Sequence, residues 1–339
     1  MAYGKEFDFH NHPIESLLFF DVETVRKVEE VTEGTPLYEA FVYKMRYSEE
    51  AQRKDFNEYN VKALYADKAA LYPEFGKIVC ITVGKIVEGN KIALHTFNDA
   101  DEKVILVKFN AFLLDRVTKD PKLVMCGLNI KFFDLRYIYI RSVVHQVKPV
   151  KGHIDLTGLK PWEVKTCDIT DIWKQTSSYN APMPAIAECL GLPSPKLDID
   201  GSQTSDVYYK EGEVGVQRIS RYCERDVFTT ANIVMRLRFL PLLELADATT
   251  AKKVKGGVAD GELPPLLTRL YNLNMFDDVM EKELKKIIGR KRLTKTDKEN
   301  LKTILVGVYT RTDFVNADQD SKSVKEQKLE EINNFIETL

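Results

Sequence analysis

Two acidic residues near the start of the chain, Asp21 and Glu23, stand two positions apart at the end of an apolar run. Asp21 and Glu23 lie in residues 17–25, LLFFDVETV, where four apolar residues run directly into Asp21. Such a run predicts a buried strand, and alternation along a strand places both carboxylates on one face. Ionised carboxylates are costly in a core. We therefore predict a divalent cation beside them; the alternative is a strand that reaches the surface, where both are solvated.

Two later segments could add groups to the same site. Asp134 follows a strand predicted at 123–128 and stands at the start of a helix, as its N-cap or as a third carboxylate delivered by a strand-to-helix junction. Tyr222 and Asp226 are four residues apart in a helix predicted over residues 214–239, and so share a face of it. Each feature alone is equally compatible with a structural role.

The hydrophobic pattern predicts the order β, insertion, β, β, α, β for the first part of the chain. Strands are predicted at 77–87 and in KIALHTF, joined by a turn, and an amphipathic helix at 101–117. The polar stretch at 26–73 is predicted to be a helical insertion, either near the mouth of the site or peripheral. We therefore predict an α/β fold, a mixed sheet with helices packed on it.

Composition and charge limit the classes of function. The 339 residues carry a formal net charge of -2, which excludes a histone-like coating protein but permits an enzyme that grips nucleic acid in one cleft. The five cysteines form no CxxC pair, as expected of free thiols in a reducing compartment.

The HNH triplet at 10–12 lacks further ligands and is interpreted as part of an irregular arm. No signal-peptide core or membrane-spanning run is visible, so we expect a cytoplasmic protein without membrane contact.

The C-terminal part has a different composition. Residues 246–265 are rich in Gly, Pro and small polar residues, which predicts a linker between a domain at 1–245 and a helical module at 266–339. Residues 281–302 carry nine Lys and Arg against four Asp and Glu. We expect this segment to capture nucleic acid through phosphate contacts; a solvated helix face or a docking surface for replication proteins is the alternative.

Three motifs, in this order and at these structural positions, resemble the DEDD superfamily of 3′–5′ exonucleases, specifically its Tyr-bearing (DEDDy) subclass. The motif sequences look closest to those of the predicted exonucleases related to the proofreading domain of family B DNA polymerases. The resemblance covers about residues 16–240 and implies a ribonuclease H-like sheet. The motif residues are Asp21, Glu23, Asn129, Phe133, Asp134, Tyr222 and Asp226.

The resemblance also implies a set of roles. Two divalent metal ions, Mg²⁺ or Mn²⁺, would be bound by Asp21, Glu23, Asp134 and Asp226. Asp21 would bridge both ions, and Tyr222 would orient the attacking water with help from Glu23. Two such ions about 3.5–4 Å apart activate water and neutralise charge at the phosphate. Thr24, Asn129 and Phe133 would contact the substrate, with either Phe132 or Phe133 stacking near the terminal nucleotide.

The implied activity is hydrolysis of phosphodiester bonds from the 3′ end of single-stranded DNA. Trimming of RNA 3′ ends is the alternative enzyme, and a catalytically silent nucleic-acid-binding or assembly protein is the alternative from another class. Retention of all five catalytic residues favours an enzyme. The insertion at 26–73 is longer than the family leads us to expect, and the C-terminal segment has no recognised counterpart, so their roles stay open.

Overall fold

The computed structural model describes residues 7–46, 61–88, 90–160, 163–193 and 199–246. Six strands in these residues form one mixed sheet in the order β5-β4-β1-β2-β3-β6. The strands are β1 (Leu17–Arg26), β2 (Gly76–Val87), β3 (Lys91–Asn98), β4 (Val124–Gly127), β5 (Thr166–Asp168) and β6 (Glu244–Leu245). β1 is antiparallel to β2 and parallel to β4, so it lies in the middle of the sheet. The predicted α/β class, a ribonuclease H-like mixed sheet flanked by helices, is confirmed.

Helices cover both faces of this sheet. The helices are α1 (Pro36–Arg46), α2 (Val61–Lys68), α3 (Glu102–Lys119), α4 (Asp134–Val144), α5 (Ile169–Lys174), α6 (Met183–Cys189) and α7 (Thr204–Leu237). Leu18 and Phe20 of β1 belong to the core cluster that α3 and α4 help to form. Leu17 and Phe19 belong to the cluster on the opposite face, which includes Val227 of α7. By alternation, Asp21 and Glu23 therefore point towards α7.

Helix α7 is longer than its sequence predicts. Its apolar period predicts a helix over residues 214–239, whereas the helical segment begins at Thr204 and is kinked at Gly212, which has φ 58° and ψ −127°. This left-handed conformation favours glycine. A Cβ at Gly215 would collide with the carbonyl of Val207. The two glycines thus allow the first part of α7 to pack tightly against the second, an arrangement that hydrophobic periodicity does not predict.

The first part of α7 supplies hydroxyl groups to the end of β1. Strand β4 pairs with β1 only as far as Phe19. Beyond that point the Thr204 hydroxyl donates to the Thr24 carbonyl at 3.1 Å, and the Arg26 N–H donates to the Ser205 hydroxyl at 3.0 Å. These side chains replace the missing strand partner and hold the part of β1 that follows Glu23.

The predicted insertion is helical where the structure describes it. It contains α1, α2 and a 3₁₀ turn at Ala69–Leu71, packed around a small core of its own. Residues 47–60 lie outside the described part. The carbonyl of Ala70 accepts hydrogen bonds from the Thr24 hydroxyl at 2.8 Å and the Tyr137 hydroxyl at 3.0 Å. The insertion therefore packs directly on the strand that carries Asp21 and Glu23.

Two other sequence predictions can be placed only in part. The HNH triplet lies in a turn whose main-chain N–H groups at His10 and Asn11 donate to the carboxylate of Asp8. The predicted linker at 246–265, apart from its first residue, and the module at 266–339 lie outside the described residues, so they stay predictions. Within the described ranges, no helix has both the length and the apolar character to cross a membrane.

A buried ion pair joins three elements of the fold. Glu102, at the start of α3, accepts hydrogen bonds from the Ile78 N–H at 2.7 Å and from Arg141 Nε and Nη2 at 2.9 and 2.6 Å. His145 Nε2 lies 2.7 Å from the same carboxylate. Arg141 also donates to the carbonyl of Pro73. The pair thus links α3 and α4 to β2 at Ile78, two residues before Cys80, which pairs with Glu23 in the sheet.

Replacing Arg141 with Met should destabilise the protein by about 3–5 kcal/mol, because it leaves the Glu102 carboxylate buried without its counter-charge. The matched control is Arg136→Met on the same helix, since the Arg136–Glu74 pair is half exposed and should contribute less than about 1 kcal/mol. Urea unfolding of both variants measures the difference. Equal losses would show that burial does not set the strength of the Arg141 pair.

Candidate active site

The centre of the site is the pair Asp21 and Glu23 on β1. One carboxylate oxygen of each and the sulfur of Cys223, from α7, all lie within 4.8 Å of one another. The Cys223 thiol donates to both the carbonyl oxygen and Oδ2 of Asp21 at 3.4 Å. Glu23 is 8% exposed, and its carboxylate makes no hydrogen bond or ion pair with any other described residue. A buried carboxylate in this state is energetically costly.

Asp134 joins this pair from the junction between β4 and α4. The N-cap residue of α4 is Phe133, which makes no side-chain cap bond, so the N-cap alternative for Asp134 is wrong. Instead, Asp134 Oδ1 accepts a hydrogen bond of 3.1 Å from the N–H of Val22. Val22 stands between Asp21 and Glu23 in the chain, so the strand-to-helix junction brings the third carboxylate to the first two. Its function as a metal ligand stays a prediction.

Tyr222 and Asp226 approach from the helix on the opposite side. Both are buried on α7, and the Tyr222 hydroxyl hydrogen-bonds with the Asp226 carboxylate. The charges of Asp21 and Asp226 both act on Glu23. The structure therefore brings all five predicted catalytic residues to one place, from three segments more than 85 residues apart in the sequence. Their individual roles stay predictions.

Burial and like charge raise the proton affinity of the carboxylates. Burial raises the pKa of Asp21 to about 6. Burial, followed by the charge of Asp21, raises the pKa of both Glu23 and Asp134 well above the usual range. No described Lys, Arg or His forms an ion pair with any of the three. The cluster thus has a deficit of positive charge.

The donor set fits a divalent cation of the Mg²⁺ type. Such ions prefer oxygen ligands, and carboxylates supply the charge that binds them. Asp21, Glu23 and Asp134 offer these oxygens; the Glu23 and Asp134 side chains are buried and that of Asp21 is partly exposed. A cation there would remove the repulsion that raises their pKa values. The Cys223 sulfur is a softer ligand than Mg²⁺ prefers. Its hydrogen bonds to Asp21 instead help to position the Asp21 carboxylate.

The predicted substrate residues differ in their exposure. Asn129 and Phe133 lie on the loop between β4 and α4, where the Phe133 ring is partly buried against Tyr137, with 5.3 Å between ring centroids. The neighbouring Phe132 is 71% exposed. Of the two phenylalanines, Phe132 is thus the one available for stacking. The Thr24 hydroxyl is occupied by the insertion, so its substrate role, like that of Phe133, stays a prediction.

Two residues near the site were not selected from the sequence. Cys223 was predicted only to be a buried thiol, although its position next to Tyr222 in the motif YCERD was a usable signal. Asp168 ends β5 and binds the loop that carries Asn129. Its signal was weaker, since a single Asp between an apolar strand and a helix is most often a cap, which Asp168 also is.

A family model described as "Predicted 3'-5' exonuclease related to the exonuclease domain of PolB" matches residues 71–254, more than half of the chain. The chain belongs to this family. The part matched by the exonuclease family includes Asn129, Asp134, Tyr222 and Asp226. A search of curated proteins found no match.

The family match begins after β1, so Asp21 and Glu23 lie outside it. They are separated from the matched exonuclease segment by most of the insertion at 26–73. The tertiary structure nevertheless places their carboxylates beside Asp134 and Asp226. The folded chain therefore joins the N-terminal acidic pair to the family segment, and this joining completes the candidate active site.

In a chelator, Asp21→Asn should make the protein more stable near neutral pH, by on the order of 2 kcal/mol, because it removes one charge from the cluster. The folded-state pKa of Asp21, about 6, lies above its ordinary value of 3.8. Protonation of Asp21 therefore stabilises the native wild-type protein fully below pH 3.8, and this contribution is lost as the pH rises through about 6. The difference between variant and wild type should shrink towards low pH.

Thermal unfolding of both proteins in EDTA across this pH range measures the effect. The difference between the two curves cancels the contributions of titrating groups that do not interact with Asp21, and it includes the relief of Glu23 and Asp134, whose pKa values the Asp21 charge raises. A variant that is less stable than wild type near neutral pH, or a difference that does not change with pH, would contradict a repulsive cluster.

Proposed function

We propose that this protein is a metal-dependent 3′–5′ exonuclease of the Tyr-bearing DEDD subclass that hydrolyses single-stranded DNA from its 3′ end. The observation that carries the proposal is the meeting of four carboxylates and one tyrosine at a buried point of a domain that belongs to an exonuclease family. Asp21, Glu23 and Asp134 form no ion pair with a described Lys, Arg or His, as is expected of a cation-dependent site.

Two divalent cations would be held by Asp21, Glu23, Asp134 and Asp226. When bound, such ions lower the pKa of water and neutralise the charge that develops on the phosphate. The chain's own contribution is to hold the carboxylates ready. Asp134 is fixed by the Val22 N–H, and Asp21 by the Cys223 thiol. Glu23, which has no such restraint, can accept a hydrogen bond from water.

Tyr222 is suited to orient water and not to remove its proton. Burial, followed by the negative charge of Asp226, raises the pKa of its hydroxyl above the ordinary value, so the hydroxyl keeps its proton at neutral pH. It hydrogen-bonds with Asp226 and leaves an oxygen lone pair that can accept from water. We infer that Tyr222 and Glu23 together aim the attacking water.

The loop between β4 and α4 supports a preference for single strands. Phe132 offers an exposed aromatic face beside Asp134, and aromatic rings bind unpaired bases by stacking without regard to sequence. An end that is paired in a duplex would not offer its base in this way. Nucleic-acid capture by the basic segment at 281–302 and binding of replication proteins by the C-terminal module stay predictions, because these residues lie outside the described ranges. A cytoplasmic location also stays a prediction.

Purified protein should shorten 5′-labelled single-stranded DNA stepwise from the 3′ end, with Mg²⁺ or Mn²⁺ and not with EDTA. Asp21→Asn should reduce the cleavage to background, because the cluster loses its central charged ligand. Asp99→Asn is the matched control, since Asp99 forms a surface pair with Lys108. Gel analysis of the products and identification of the released nucleotides measure the activity.

The same assay on RNA separates the lead proposal from its alternative. If the protein shortens RNA faster than DNA, RNA is the substrate and the activity is trimming of RNA 3′ ends. Cleavage that survives in a clean Asp21→Asn preparation would contradict the proposed site. A wild-type protein that binds strands without cutting them would favour the catalytically silent alternative.

Tyr222→Phe should lower kcat by about 10²-fold, because the hydroxyl only positions a water molecule. Asp226→Asn should cost considerably more, since it removes charge from the cation site. Single-turnover rates with saturating DNA measure both losses. If the two variants lose activity equally, Tyr222 has another task, such as holding α7 against β1.

A further inference from the structure

Asp168 is a buried carboxylate close to the candidate active site but bonded in a different way. It ends β5 and is 3% exposed. Its Oδ1 accepts from the N–H groups of Asn129 and Thr170, both at 2.9 Å, and its Oδ2 accepts from the N–H of Lys131 at 3.0 Å. Both oxygens are therefore used by the main chain. Glu23, by contrast, has no such bonds to described residues.

The loop that Asp168 binds has a tightly folded backbone. Asn129 has φ 62°, and its carbonyl accepts from the N–H groups of Phe132 and Phe133 at 3.3 and 3.2 Å. A Cβ at Gly127 would lie 2.8 Å from the carbonyl of Phe20 and would collide with Ile130. Main-chain N–H groups around a left-handed residue form a concave anion site. Here the Asp168 carboxylate occupies it.

A second contact ties the same loop to the same corner of the fold. The Lys131 ammonium forms an ion pair of 2.8 Å with Asp171, which is in the first turn of α5. The far end of the loop is held by Asp134, through its bond to the N–H of Val22. Between these anchors the loop exposes Phe132, and it carries Asn129 at its start. The residues expected to contact the substrate thus lie between fixed points.

We propose that Asp168 is a positioning residue, which holds the loop 129–133 in the shape that presents Asn129 and Phe132 to the 3′-terminal nucleotide. The inference rests on the proposed exonuclease function for its substrate, and on the hydrogen bonds of Asp168 for its mechanism. Asp168 touches neither substrate nor cation; it acts through the Asn129 and Lys131 amides. Recognition of this kind depends on positional accuracy, because misplacement by about 1 Å can cost 10²-fold.

Asp168→Asn isolates this role. Asparagine has almost the same shape but only one accepting oxygen, so it cannot bind the Asn129 and Lys131 amides from both sides as the carboxylate does. It remains a good N-cap for α5, because Asn and Asp are similar in that position. Asp101→Asn is the matched control, since Asp101 caps α3 through the Lys103 N–H at 2.8 Å, away from the loop.

The first experiment needs no substrate. Amide hydrogen exchange of wild type and Asp168→Asn, in EDTA, should show faster exchange at Asn129 or Lys131, with exchange in the central strands unchanged. Asp101→Asn should leave the loop as it is. Unchanged protection of both loop amides in Asp168→Asn would overturn the inference, whatever the enzyme does with nucleic acid.

The second experiment measures kinetics on single-stranded DNA with Mg²⁺. Asp168→Asn should raise KM by about tenfold, the loss expected for one charge-assisted hydrogen bond, and should lower kcat far less. Phe132→Ala should raise KM as well, and the double variant should be no worse than the poorer single one, because both act through one loop. A merely structural Asp168 would lower the melting temperature and leave KM unchanged.

The outcomes separate the two proposals. Additive losses in the double variant, or an equal fall of kcat and kcat/KM without a change in KM, would overturn the positioning role while the exonuclease stands. If the wild-type protein neither cuts nor binds DNA or RNA strands, the proposed function fails. The proposed contact between the loop and a nucleotide then fails with it. The exchange experiment then still decides whether Asp168 holds the loop.

Discussion

Repulsion among buried carboxylates at the centre of the sheet is the constraint on which the rest of this structure depends. β1 is covered on both faces, yet it carries Asp21 and Glu23 towards α7. Asp134 and Asp226 add two more acids to the same volume. Native proteins have only a small margin of stability, so the surrounding fold must offset this cost. We infer that the cluster persists because a cation is part of the working protein.

The compensation is visible around β1. The apolar residues before Asp21 are fully buried and belong to the two main cores. After Glu23, where β4 no longer pairs with β1, hydroxyl groups of Thr204 and Ser205 and the turn of the insertion hold the strand. The Glu102–Arg141 pair fixes the start of β2 opposite. The backbone around the site is thus held by hydrogen bonds from several elements, although its charges repel, as suits a preorganised cation site.

Hydrophobic periodicity predicted most of the fold because it reports local burial. β1, β2, β3 and β4, together with α3 and α4, follow their predicted ranges within a few residues. Periodicity failed where contacts distant in sequence decide. The first part of α7 is polar and ends at a kink at Gly212, and beyond the kink Gly215 packs closely against the carbonyl of Val207. The two-residue β6 is too short for a pattern and forms only because β3 offers an open edge.

The α/β class, the acidic pair and the order of the three motifs could be read from the amino-acid sequence, since these depend on residue type and local spacing. Three features became visible in the folded chain alone: Asp134 bonds to the β1 backbone and does not cap its helix, Cys223 contacts Asp21, and Phe132 is exposed while Phe133 is partly buried. The reason is physical. Which atoms meet across 100 or more residues depends on chain topology and side-chain direction, and neither is encoded in a local window.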